Sequence, residues 1–180
     1  MLIFETHSTS LDNEAGLASG HNDVALSMVG LKQAEELGRR NADVPVVAIY
    51  CSDLQRSYKT AEIAFAGRDV PIVRDARLRE CDYGDMTQVK AEEIKQARAQ
   101  HVSSPFPNGE SYEDTCRRVK SFLDDVSEKH KEDDVILVVG HRATQYGLEH
   151  CLKGVSVHAA VTAPWAWQPG WQYEIKGSRA

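Results

Sequence analysis

Apolar residues fall along this chain in two rhythms. Continuous runs occupy 2–6 (LIFET), 46–51 (VVAIYC), 71–74 (PIVR) and 135–140 (VILVVG). Such runs fit strands covered on both faces, as in a parallel sheet. A fifth run, WQYEI at 171–175, alternates apolar and polar residues and is expected nearer the sheet edge. Between the runs the spacing becomes helical. Ser27 can cap a helix carrying Leu31, Ala34 and Leu37 on one side. Ser52 or Asp53 can cap a second, with Leu54, Tyr58, Ala61 and Ala64, which stops at Gly67. A third, from about Ser111, places Val119, Phe122, Leu123 and Val126 at i, i+3, i+4 and i+7, and a fourth follows Gly140. Strand and helix alternating in this way imply right-handed βαβ units. The expected fold is a three-layer α/β/α sandwich with a mainly parallel central sheet, spanning 1–180 as one domain.

In such a sheet, ligands collect beyond the carboxyl ends of the strands, where loops and helix N-termini meet. His7 follows the first strand, Arg56 lies in the first turn of the helix after VVAIYC, and His141 follows VILVVG. Three separate strands therefore deliver complementary chemistry to one edge. A neutral imidazole is a good nucleophile near pH 7, and its attack on a phosphate ester would form a phosphohistidine. The transferred phosphoryl group needs fixed donors and cations around its oxygens. Arg56 offers a forked cation, a protonated His141 a second, and Asn13 a neutral donor reaching back from six residues past His7. Helix N-termini after both strands add backbone N–H groups. The leaving alcohol also needs a proton, and Glu80 in LRECDYGDM supplies a carboxylic acid in a loop after PIVR.

Charge and composition narrow the partners. The 180 residues carry a net charge of −6, which argues against a nucleic-acid or membrane-surface binder, so any positive charge that receives an anion must be local. With 42% hydrophobic and 27% charged residues the chain is an ordinary globular one. Cys51, Cys81, Cys116 and Cys151 lie far apart with no metal-ligand spacing, and buried reduced thiols are expected at Cys51 and Cys116. His101, His130, His150 and His158 likewise show no ligand spacing. No basic N-terminal region precedes an apolar core and no run is long enough to span a bilayer, so a cytoplasmic protein is expected. The tryptophans of PWAWQPGWQ are expected to pack on the sheet, with one able to wall the pocket, and EKHKEDD reads as a solvated link.

Six landmarks occur in order: THSTSLDN, LSMVGLKQAEELG, CSDLQRSYKTAE, LRECDYGDM, PNGESYED and VVGHRATQ. With these the chain resembles the histidine phosphatase superfamily, the phosphoglycerate-mutase-like enzymes, over nearly its full length. The resemblance implies that His7 is the nucleophile, that Arg56, His141 and Asn13 hold the phosphate, and that Glu80 is the proton donor. It implies no metal or organic cofactor. Where the family's first motif reads Arg-His-Gly-Glu, this chain has Thr6, His7, Ser8 and Thr9. The missing arginine removes a phosphate contact. Arg142, directly after His141, is expected to replace it in part, with hydroxyl donors from Thr6, Ser8 and Thr9. His21, in the loop GHND, falls where such folds often line the pocket mouth. The segment after Glu80 is modest in length and mixed in charge, so water is expected to reach the phosphohistidine. That favours hydrolysis of a small phosphorylated metabolite. The alternatives are a phosphoglycerate-type mutase and a weakened or inactive phosphate-binding member. Oligomeric state is not readable.

Overall fold

The structure, a computed structural model, describes residues 1–175. Five strands form one sheet: β1 (Leu2–Thr6), β2 (Val46–Cys51), β3 (Ile72–Arg74), β4 (Val135–Gly140) and β5 (Trp171–Tyr173), in the order β3-β2-β4-β1-β5. The first four run parallel, and β5 closes the β1 edge antiparallel. The alternating run at 171–175 is therefore the edge strand its pattern implies, shortened to three residues.

Helices cover both faces. α1 (Leu11–Ala15), α2 (Met28–Arg40), α3 (Gln55–Ala64), α4 (Ala91–Ala97), α5 (Tyr112–Lys129), α6 (Arg142–Lys153) and α7 (Val157–Thr162) follow in chain order. One sheet face buries Ile3, Ile49, Leu137 and Val139 against Leu37 of α2 and Ala61 of α3. The other buries Leu2, Phe4, Tyr50 and Val138 against Val119, Phe122 and Val126 of α5 and Leu148 of α6. The result is the mainly parallel α/β/α sandwich that the strand pattern implies. A third apolar cluster contains no strand residue: Ala18, Tyr83, Ile94, Phe106, Tyr112, Tyr146 and Val161 gather loops and short helices against the N-terminal turns of α5 and α6.

Capping chemistry sets the long helices where expected. Ser27 accepts from the Gly30 N–H and starts α2, while Ser111 and Asp114 form a reciprocal capping box on α5. α3 differs. Its cap is Leu54, with no side-chain bond, and it ends at Ala64 rather than Gly67. Asp23 from a distant loop accepts the Gln55 N–H at 2.7 Å, so tertiary structure replaces the local cap. The segment EKHKEDD is not wholly a solvated link: α5 runs on to Lys129, and His130 meets the Tyr50 hydroxyl at 2.8 Å. Helix packing is close where glycine allows it. A Cβ at Gly147 of α6 would sit 2.7 Å from the Val119 Cβ of α5. Among the described residues no helix is long and apolar enough to cross a membrane.

Candidate active site

Sheet register brings the two histidines together. Thr6 pairs with Gly140, and the His7 N–H donates to the Gly140 carbonyl at 2.9 Å, so the chains leave β1 and β4 side by side. The rings of His7 and His141 lie 4.9 Å apart between centroids. β2 ends in register with β4, Cys51 opposite Val139, and α3 then sets Arg56 beside them. A cavity of about 600 Å³ opens here, and its wall includes His7, Ser8, Asn13, Arg56, Glu80, His141 and Arg142.

His7 lies in the cavity wall with its Nδ1 2.7 Å from the Ser8 carbonyl. A carbonyl only accepts, so Nδ1 carries the hydrogen and Nε2 keeps its lone pair. Removal from water, followed by the nearby Arg56 charge, lowers the His7 pKa from 6.5 to about 3. The ring is neutral near pH 7, as a nucleophile must be.

His141 is neutral as well. Burial is the main cause, then Arg56 and His7, and together they hold its pKa well below 6.5. The second cation expected at this position is therefore a neutral ring, because burial beside a guanidinium disfavours the protonated imidazole. Its Nε2 lies 2.6 Å from Ser52 Oγ, while Nδ1 is buried without a partner among the described residues. Ser52, read from sequence as a helix cap, is thus a support for the site histidine.

Arg56 is 2% exposed, yet its direct partners are neutral. Nη1 donates to the Asn22 carbonyl at 2.8 Å and Nη2 to the Gly20 carbonyl at 2.7 Å. No carboxylate among the described residues bonds it, so its charge stays available to an anion. Asn13 accepts the Ser10 N–H through Oδ1, which leaves its amide donors free. Glu80 uses Oε1 to accept from the N–H groups of Cys81 at 2.8 Å and Ala143 at 3.2 Å. Its other oxygen has no such partner among the described residues.

Helix N-termini contribute less than their position implies. The first N–H of α3 is taken by Asp23, the second of α6 by Glu80, and the Ser8 N–H by Thr60 Oγ1. Side chains supply most of the free donors. Arg142 lines the cavity with its guanidinium carbon 5.0 Å from the Trp165 ring centre, and its buried Nε has no partner among the described residues. His21 does not line the cavity. Its Nε2 donates to the Glu80 carbonyl at 2.8 Å instead. Of the tryptophans, Trp171 packs on Phe4 as expected, whereas Trp165 and Trp167 are 37% and 57% exposed and wall the cavity. Reading from sequence also missed Arg98, which joins that wall from beyond α4. Cys51 and Cys116 are buried free thiols, each with its pKa pushed up to about 12, chiefly by burial.

The arrangement matches known proteins. The model of the histidine phosphatase superfamily (branch 1) matches residues 2–165. Phosphoserine phosphatase 1 of Hydrogenobacter thermophilus is 34% identical, across 87% of this chain and 77% of that protein. The adenosylcobalamin/alpha-ribazole phosphatase of Escherichia coli is 30% identical across 76% of this chain and 70% of its own. Among solved structures, YhfR of Bacillus stearothermophilus superposes with a TM-score of 0.82 at 28% identity, covering 93% of this chain and 87% of that one. Fold, order of motifs and extent of match agree: the chain belongs to the histidine phosphatase superfamily (branch 1).

Proposed function

We propose that the protein hydrolyses phosphomonoesters of small metabolites through a phosphohistidine at His7. One observation carries the reading: a neutral imidazole, with its hydrogen fixed on Nδ1 by the Ser8 carbonyl, presents Nε2 in a cavity that also holds Arg56 and His141. Nε2 attacks phosphorus, the N–P bond forms and the P–O bond to the alcohol breaks. Glu80 gives its proton to the departing oxygen from the free oxygen of its carboxyl. The carboxylate left behind then takes a proton from water, which attacks phosphorus and returns His7 and inorganic phosphate.

Arg56 holds the phosphoryl oxygens throughout, and Asn13 and Ser8 add neutral donors. If Ser52 donates its hydroxyl to His141 Nε2, the imidazole hydrogen lies on Nδ1, the atom left without a partner, ready for a phosphoryl oxygen. Arg142 takes over in part from the arginine absent at position 6. Side chains alternate along a strand, so Thr6 shares a face with Phe4, which packs in the same cluster as Leu148 of α6. Arg142 opens that helix, and so a cation stands on the face toward which an arginine at position 6 would point. The cavity is several times the size of a phosphate group and leaves room for the alcohol portion.

The test is hydrolysis of p-nitrophenyl phosphate and a panel of metabolite esters, with and without EDTA. Phosphate release that survives EDTA and is abolished in His7→Ala is the expected result. Arg142→Ala should lower kcat/KM by about a hundredfold or more, as loss of one transition-state donor does. Transfer of the phosphoryl group to a second metabolite without free phosphate would instead mark a mutase. Binding of phosphate with no turnover would mark a non-catalytic member.

A further inference from the structure

We propose that Arg118 and His21 are positioning residues for the proton donor: they hold the backbone carbonyl of Glu80 and so fix where its carboxyl group stands. This rests on the reading of Glu80 as the donor.

Arg118 projects from α5 and does not line the cavity. Its Nη1 donates to the carbonyls of Arg77 at 2.7 Å and Arg79 at 2.8 Å, and its Nη2 to that of Glu80 at 2.8 Å. The same guanidinium forms two bonds with Glu110, both 2.9 Å. Glu110 Oε2 in turn accepts the Asp82 N–H at 3.0 Å. One ion pair therefore fastens four backbone groups between residues 77 and 82, on both sides of Glu80. His21 adds a second donor to the Glu80 carbonyl at 2.8 Å, with its Nδ1 3.6 Å from Asp82 Oδ2.

The loop needs this support. Between β3 and α4 the chain forms only short 3₁₀ turns at Ala76–Leu78 and Gly84–Met86, so sheet bonds cannot satisfy these carbonyls. A general acid works only within hydrogen-bond reach of the departing oxygen, and a shift of about 1 Å can lower the rate about a hundredfold. His21 carries a further consequence. Its two neighbours, Gly20 and Asn22, provide the carbonyls that hold Arg56. Three successive residues thus set the phosphate-binding cation with their backbone and the acid with a side chain, locking the distance between the two.

Leaving-group dependence separates positioning of an acid from general damage. p-Nitrophenolate departs without a proton, whereas an alkoxide requires one. kcat/KM is compared for p-nitrophenyl phosphate and an alkyl phosphate that the wild type turns over, in Glu80→Gln, Arg118→Lys, His21→Ala and His21→Gln. Lysine keeps the charge but cannot fork to three carbonyls, and glutamine keeps a donor near the position of Nε2. Glu80→Gln should reduce the alkyl ester about a hundredfold and the aryl ester far less. Arg118→Lys and His21→Ala should show the same selectivity at about tenfold, with p-nitrophenyl phosphate within about threefold of wild type, and His21→Gln should restore most of the loss. If Glu80→Gln is selective while Arg118→Lys and His21→Ala reduce both esters equally, or neither, the proposal is wrong and the donor assignment stands. If Glu80→Gln is itself unselective, the donor assignment fails and the proposal with it. Should Arg118→Lys not fold, the His21 pair decides alone.

Discussion

His7 is neutral because burial and the nearby Arg56 charge disfavour its protonated form, and the same causes hold His141 neutral. The unfolded chain has neither constraint and titrates near the ordinary 6.5. Between 6.5 and about 3, the unfolded chain binds a proton at position 7 that the folded chain does not. Acid therefore draws the equilibrium toward unfolding in that window. Above it both states are neutral and the contribution disappears. At pH 5 the His7 share is about 1–2 kcal/mol of lost stability relative to pH 8. His7→Asn keeps a donor for the Ser8 carbonyl and removes the titration, so its fall in Tm from pH 8 to pH 5 should be smaller by about 3 °C. An equal fall in both proteins would show that the imidazole is not held neutral. At this scale, sequence reading finds the residues by their places after strands but not their charge states. Strand-end position is local, whereas His141 loses its proton to burial and to Arg56, 85 positions away in the chain. Arg118 escaped for a similar reason. On α5 it looks like any polar residue beside Val119, and its partners at 77, 79 and 80 come from another part of the chain.

α2 shows how an element that walls the cavity also carries geometry to its reacting end. Its capped first turn accepts the chain that has just left His7: the Ser27 N–H donates to the Thr9 carbonyl at 3.0 Å, and Gln33 accepts the Thr9 N–H at 2.9 Å. Gly30 makes this approach possible, since a Cβ there would run into the Thr9 carbonyl oxygen. Gly30→Ala should destabilise the protein by about 1–3 kcal/mol in urea unfolding, because the helix must shift from the strand end. It should also lower kcat/KM for p-nitrophenyl phosphate at temperatures where the variant remains folded. A variant as stable and as active as wild type would mean that α2 does not hold the His7 segment. The cap at Ser27 and the apolar spacing of Ala34 and Leu37 were plain in the sequence, because helix starts and buried faces follow local rules, but Leu31, read onto the same side, is exposed. The five-residue α1, seven-residue α4 and six-residue α7 were not. Each is too short for a period to emerge, and the buried residues of α4 and α7 serve the cluster that lacks a strand. The mixed-charge segment after Glu80 showed only its length and charge in the sequence, although α4 and the turn after it place Ile94 and Arg98 in the cavity wall.

Across the whole molecule, the sheet fixes the reacting end and its periphery shapes what may enter. β1, β2 and β4 lie adjacent and parallel, so His7, Arg56 and His141 meet wherever those strands stop together, and that convergence follows from strand order alone. The far walls do not follow from it. One consists of Gln33, Glu36, Leu37 and Arg40, a single stripe of α2, and another of Ala91, Ile94 and Arg98. Trp165 and Trp167 come from the segment between α7 and β5, after most of the core is already in place. Trp165 is fixed by its N–H bond to Gln145 at 2.7 Å and by stacking on Trp171 at 6.1 Å. Trp167 faces the Arg40 guanidinium at 5.7 Å and is more than half exposed, so its flat surface is open to an incoming molecule. Removing it should cost less stability than removing a core aromatic, since more than half of it stays exposed. Its effect should fall on esters with a ring to stack. Trp167→Ala is expected to raise KM for aryl phosphates by about twofold to tenfold, the range of one aromatic contact, while leaving KM for glycerol phosphates unchanged. An equal rise for both classes would place Trp167 in the upkeep of the cavity rather than in recognition. No change for either would leave the α4 wall as the surface that reads the alcohol.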